Sequence, residues 1–212
     1  YDIFKETIIR YNLSKGIEKN KWLNKIEQLY PYLSQYNKRY LTYLKSFYAN
    51  NSYNHENTLF SHDIRIKNGN YIHKFLTIDT IQKIKKYDLQ NEVENNISTS
   101  FKNWTALQKN QYLEMKTLLS GYLLSSQGDR MSMANSVEVR YPFLDNNVVD
   151  LFSTMPDDIK LNNMIEKFIL KETFKRNLPK EIIDRSKQPY RAPESFSLLK
   201  SEYLQTQFLK SE

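Results

Sequence analysis

Four glycines in 212 residues, at positions 16, 69, 121 and 128, constrain this chain more than any other feature. With so few permissive backbone positions and few runs of alternating β-branched residues, the sequence reads as mainly α-helical, a helical bundle. None of the four glycines belongs to a GxxxxGK or GxGxxG pattern, so the chain lacks a sequence signature for a phosphate-cradling loop.

Apolar spacing places the first helices at residues 2 to 12 and 17 to 49. Ile3, Phe4, Ile8, Ile9, Leu23, Ile26, Leu29, Tyr30, Leu33 and Tyr36 recur every three or four positions as core stripes. Residues 50 to 74 are polar, aperiodic and hold all three histidines (His55, His62 and His73), which reads as a loop; the irregular spacing argues against a helical metal pair. A short helix is expected from Asp79, its cap, to Lys86. Thr105 and Gln108 then form a Thr-x-x-Gln capping box that opens a helix over about 105 to 126, burying Leu107, Met115, Leu118, Leu119 and Tyr122.

With 40% apolar residues the chain can bury a sizeable core, and no run approaches the roughly 18 to 20 apolar residues of a membrane span. The N-terminus has no signal-peptide architecture, and we expect a cytoplasmic protein. The absence of cysteine excludes disulfides, thiolate metal sites and a cysteine nucleophile within this sequence. The net charge of +7 lies mainly in residues 1 to 50, which carry 9 Lys and Arg against 4 Asp and Glu. A second basic cluster runs from Lys175 to Arg191. Such charge leaves a helical nucleic-acid-binding module or a non-catalytic interaction scaffold as alternatives, although the favoured reading involves no nucleic acid and no membrane.

The stretch DRMSMANSVEVRYPFLD, from Asp129 to Asp145, sets Asp129, Arg130, Glu138 and Arg140 among residues suited to a packed interior. Buried charges persist only when paired, so the expectation is an ion-paired junction between a helix over about 129 to 136, an extended segment ending before Pro142, and a further helix capped by Asp145 and stopped by Pro156. In that reading Asp129→Ala is strongly destabilising.

DRMSMA, SVE-x-R-x-PFLD, Glu166-Lys167, Leu178-Pro179 and the R-x-KQ of Arg185 to Gln188, in this order and with compact spacing, resemble the carboxy-terminal half of the synthetase domain of glutamine-hydrolysing asparagine synthetases. The resemblance is strongest over residues 105 to 196, and the opening YDIFKE also resembles the segment just after that family's pyrophosphate-side motif. It implies a two-domain parent, in which a glutaminase with an N-terminal cysteine releases ammonia. A synthetase domain of the ATP-pyrophosphatase, adenine-nucleotide α-hydrolase-like type adenylates aspartate, and ammonia then displaces AMP. The parent would use ATP and Mg2+, with aspartate and glutamine as its other substrates. The cysteine, an SGGxDS loop and the acidic metal motif are all missing here. Residues 1–212 are therefore expected to be a single helical fragment that binds none of these alone, lacks synthetase activity, and needs the glutaminase and ATP-binding segments as partners. Relatives that amidate another acid or close a ring are the alternative within the class.

By the same resemblance Lys167 matches the family's functional lysine and is the expected catalytic cation. Asn163 and Glu166, spaced as an N-cap and its N3 partner, put it in the first turns of a helix, where it opposes the macrodipole unless both face an anion. Lys187 and Glu166 are candidates for ATP or pyrophosphate binding. Asp129, Arg130, Glu138, Arg140 and Asp145 would support the cleft, and no metal ligand is expected. An open apolar face where the parent's sheet would pack predicts self-association, as a homodimer.

Overall fold

The computed structural model describes residues 2–29 and 38–185, and these are mainly helical. Three helices build the amino-terminal core: α1 (Asp2–Ser14), α2 (Lys19–Lys25, continued by a 3-10 turn at Ile26–Gln28) and α3 (Lys38–Asn50). The predicted continuous helix over 17 to 49 is thus divided; Tyr30, Leu33 and Tyr36 of its stripe lie outside the described residues. Ile9, Leu13, Ile26, Leu29, Leu44 and Tyr48 close one buried cluster, with Ile8 and Leu23 packed against it. Ile3 and Phe4, the other predicted stripe residues on α1, are half-buried. Each fully buried aliphatic side chain in such a cluster contributes about 1.5 to 3 kcal/mol.

The polar segment over 50 to 74 is only partly a loop. Asp63–Gly69 forms α4 and Asn70–Phe75 a 3-10 helix, with Ile64 packed on the first cluster and Ile66 on a second one built from Leu59, Phe101 and Leu113. Two isoleucines are too few to generate a readable 3.6-residue period, and for that reason the helix is not legible in the sequence. Further on, α5 (Ile78–Ile84) is capped by Thr77, whose hydroxyl accepts from the Thr80 amide at 3.3 Å. Asp79, the expected cap, instead lies in the first turn and pairs with Lys83 at 2.7 Å. A short α6 (Leu89–Asn95) comes next.

The Thr105–Gln108 capping box is present in both directions, with hydrogen bonds of 3.2 and 3.0 Å, and it opens α7 (Ala106–Glu114). Helix α7 packs on α1, where the buried Asn110 donates to the Ile3 carbonyl at 3.0 Å and to the Thr7 hydroxyl at 2.7 Å. The chain then winds as a π-helix over Met115–Asp129 before α8 (Arg130–Ala134). Side-chain bonds five residues apart accompany the wider turn: Ser126 donates to the Gly121 carbonyl at 3.4 Å, and Gln127 to the Tyr122 hydroxyl at 2.8 Å. A stripe at 3.6-residue spacing does not stay on one face of a helix with i→i+5 bonding. Leu107 is accordingly buried as expected, whereas Met115 and Tyr122 are exposed.

Asp145 caps α9 (Asn146–Thr154) as predicted, accepting from the Asn147 amide at 2.9 Å, and the helix ends at an extended Met155 before Pro156. After α10 (Asp157–Lys160), a two-stranded antiparallel hairpin joins β1 (Leu161–Asn162) to β2 (Ile165–Glu166), pairing Leu161 with Glu166 and Asn162 with Ile165. Helices α11 (Phe168–Phe174) and α12 (Lys180–Asp184) complete the described chain. Among the described residues no helix is long and apolar enough to cross a membrane.

Candidate functional site

Lys167 does not sit inside a helical first turn. Asn163 and Met164, with φ of 46° and 68°, form the two-residue turn of the hairpin, a conformation that a tight hairpin requires and asparagine tolerates. Glu166 is therefore a strand residue rather than the N3 partner of an Asn163 cap. Lys167 itself occupies the N-cap position of α11 with φ 57° and ψ 30°. A non-glycine residue held in the left-handed region is uncommon, and here it is the point where the strand turns into the helix. The side chain of Lys167 is exposed beside the N-terminus of α11.

The hairpin is anchored on the amino-terminal core at two points. Met164 is buried in the cluster that contains Ile9 and Leu13 of α1. Glu166 Oε2 lies 2.5 Å from Lys5 Nζ, with only 4% of the lysine and 12% of the glutamate side chain exposed. Lys187, the other proposed phosphate contact, lies outside the described residues.

The charged junction at 129 to 145 is overturned. Asp129, Arg130, Glu138, Arg140 and Asp145 are all exposed, and among the described residues no ion pair joins Asp129 or Arg130 to Glu138 or Arg140. Arg140 pairs with Glu138 two residues away, at 85% and 73% side-chain exposure. Asp129 accepts from the Tyr141 hydroxyl at 3.2 Å. Desolvation, and after it the Asp129 carboxylate alongside, raises the Tyr141 phenol above its ordinary value. Tyr141 lies over Gly128: a Cβ there would come within 2.6 Å of the hydroxyl, so position 128 admits no side chain unless Tyr141 moves. The reason for the difference is that the apolar residues of the stretch are exposed too, Met133 at 76% and Phe143 at 64%. Charges on such a surface stay hydrated and need no partner.

The buried charges are elsewhere. Arg10 is fully buried on α1, and its guanidinium donates to the Asn51 carbonyl at 2.9 and 3.2 Å, the Phe60 carbonyl at 3.0 Å and Asp63 Oδ1 at 2.6 Å, while lying over the Phe60 ring. Glu6, one turn earlier, approaches it at 3.7 Å and accepts from the Tyr48 hydroxyl at 3.4 Å. Burial pushes the Glu6 carboxyl up to about 7 against the opposing charge of Arg10. Beyond Asp63, Glu114 meets Arg65 at 2.7 Å. His62 Nε2 lies 3.0 Å from Glu114 Oε1. Burial acts to raise the Glu114 carboxyl, but the contacts from His62 and Arg65 outweigh it and hold the group below its usual range.

Sequence reasoning missed Lys5, Glu6, Arg10 and His62. One signal was available: Lys5 and Ile9 share a face of α1 at i, i+4, so a lysine stands on the apolar stripe. Among the described residues no group of three or more His, Asp or Glu side chains could hold a metal ion.

The family model for asparagine synthase matches residues 2–209. A glutamine-hydrolyzing asparagine synthetase 1 from Bacillus subtilis is 32% identical over 102 residues, 48% of this chain and 16% of that protein. An amidase, chyE, from Penicillium rubens is 34% identical over 110 residues, covering 49% of this chain and 16% of the relative. A glutamine-hydrolyzing asparagine synthetase from Mus musculus is 39% identical over 67 residues, 30% of this chain and 12% of its own length. The chain thus spans a small part, 16% or less, of each of these relatives. No solved structure matches it.

Proposed function

Because the chain belongs to the asparagine synthase family, we propose that it forms part of an ATP-dependent carbon–nitrogen ligase that adenylates aspartate, releases pyrophosphate and amidates the acyl-adenylate with ammonia drawn from glutamine. The observation that carries the reading within this chain is the placement of Lys167: a cation on a left-handed residue at the start of α11, on a hairpin docked to the core. Negative charge grows on the bridging oxygen and the departing pyrophosphate as the aspartate carboxylate attacks the α-phosphate. A cation held at that oxygen stabilises the charge more than it stabilises the ground state. Glu166 holds the backbone from which Lys167 projects, so its role here is positioning rather than phosphate contact, and Lys187 is the second proposed phosphate contact. ATP is a substrate in this scheme. No converging acidic ligands for Mg2+ occur among the described residues, and no step assigned to this chain passes through the metal.

Asp129, Arg130, Glu138, Arg140 and Asp145 then act as an exposed face that supports the cleft in the parent protein, which contributes the glutaminase and ATP-binding segments. The parent acts in the cytoplasm in this reading, and the 212-residue chain alone makes no asparagine. The exposed apolar residues of the same face favour a homodimer when the chain is isolated. Sedimentation should show a dimer, and a clean monomer that binds no hydrophobic dye removes that part of the proposal.

The test of the chemistry is aspartate-dependent ATP–pyrophosphate exchange by the parent protein, wild type beside Lys167→Ala. Exchange that falls about 10²- to 10³-fold in the variant supports the assignment. Unaltered exchange removes Lys167 from the chemistry. The similarity to proteins called amidases favours one further reading, an acceptor acid other than aspartate. Exchange that appears only with another carboxylic acid selects it.

A further inference from the structure

We propose that Lys5 is a positioning residue for Lys167, acting through Glu166; the role in catalysis rests on the function proposed above. Helix α1 meets the hairpin along one line. Lys5, Ile9 and Leu13 recur at four-residue intervals and so share a face of α1. On the hairpin, Met164 enters the cluster of Ile9 and Leu13, and Glu166, two residues later, meets Lys5 at 2.5 Å. One apolar anchor and one ionic anchor therefore fix the hairpin both in depth and along the axis of α1. The residue after the ionic anchor is Lys167, whose left-handed backbone sets the direction in which the chain leaves the strand.

A buried lysine–glutamate pair is a poor device for stability, because desolvating both charges offsets their attraction and an apolar pair of similar volume often does as well. What it supplies is a fixed distance. Met164 alone holds a greasy contact that tolerates sliding, whereas a short contact between two charges in a dry site has one good geometry. Displacing a catalytic group by as little as an ångström costs about 10²-fold in rate. The chain thus uses an otherwise unneeded buried charge to place an exposed one.

The discriminating experiment uses the full-length parent and the double variant Lys5→Met/Glu166→Met, which removes both charges of the pair together. Two readouts are taken: amide hydrogen exchange over residues 161 to 168, and kcat for ATP–pyrophosphate exchange in wild-type and Lys167→Ala backgrounds. The expectation is an unchanged unfolding midpoint, faster amide exchange confined to the hairpin and the start of α11, and a kcat lowered about ten-fold or more. In the Lys167→Ala background the double change should add no further loss, since its effect passes through that lysine. A merely structural role would lower the residual rate in both backgrounds and would overturn the proposal, as would unchanged protection over 161 to 168. If the wild-type parent exchanges pyrophosphate with no acid, the functional reading fails. Hydrogen exchange then decides by itself whether Lys5 fixes the backbone of Lys167.

Discussion

Two charged regions of this chain invert what their sequences suggest. The stretch from 129 to 145 embeds four charges among apolar residues and lies open to solvent, while α1 and the polar segment after α3 enclose a fully buried arginine. Composition alone would have assigned them the other way round. The difference lies in who supplies the partner. Arg10 finds two carbonyls and a carboxylate in a segment roughly 40 to 50 positions away, so its burial is decided by long-range geometry that no local window contains. Arg140 finds Glu138 two residues along and gains nothing from leaving water.

The largest effect in this comparison is expected from Arg10→Ala. It leaves Asp63 with only its longer 3.9 Å contact to Lys67 and the Asn51 and Phe60 carbonyls without the donors that Arg10 supplies, and it frees the segment that Arg10 ties to α1. A loss of about 3 to 5 kcal/mol in denaturant unfolding is the expected outcome. A loss below about 1 kcal/mol would mean that the arginine is not buried in solution.

Glu6 gives the next effect, and it appears as a dependence on pH. Its carboxyl is raised from 4.5 to about 7 by burial, against the lowering influence of Arg10. Between those values the folded chain holds a proton that the unfolded chain has lost, so stability falls as pH rises through the window. The group's contribution is fully present below about 4.5 and is lost above about 7, a difference of order 3 kcal/mol. Glu114 acts in the opposite sense: its lowered carboxyl contributes stability at neutral pH that is lost on acidification. Unfolding monitored from pH 5 to 8 should show the decline in the wild type and a flatter profile in Glu6→Gln. Parallel profiles would place the titrating group elsewhere.

Legibility in the sequence obeys the same division between local and distant causes. The capping box at Thr105, the cap at Asp145 and the stop at Pro156 depend on neighbours three or fewer residues away, and all three stand as expected. Ile9, Ile26 and Leu29 were legible from period alone. The helix of α4 was not, because its burial rests on two isoleucines that face different clusters. The hairpin before Lys167 was hidden by a spacing, Asn163 to Glu166, that fits a capping box equally well. What decides between them is Met164, which is buried against α1, and a contact with α1 is invisible from the local sequence. The family motifs located Lys167 and Glu166 without revealing either conformation, and Lys5 carries no motif at all.

The smallest effect belongs to Asp129, and it tests the comparison from the other side. Asp129→Ala removes one exposed hydrogen bond, from the Tyr141 hydroxyl, and uncovers no buried charge. In the isolated chain the denaturant midpoint should therefore stay within error of the wild type, in contrast to Arg10→Ala. The same substitution in the parent protein asks a different question. If the face that carries Met133 and Phe143 is covered there, Asp129 loses its hydration and its bond to Tyr141 becomes one of few available to it, so the midpoint should drop. A midpoint insensitive to Asp129→Ala in both contexts would show that this face stays open in the whole protein and that its apolar residues are not covered by the rest of the parent. A drop in the parent alone would place the paired junction in the assembled domain, created by what packs on this chain rather than by the chain itself.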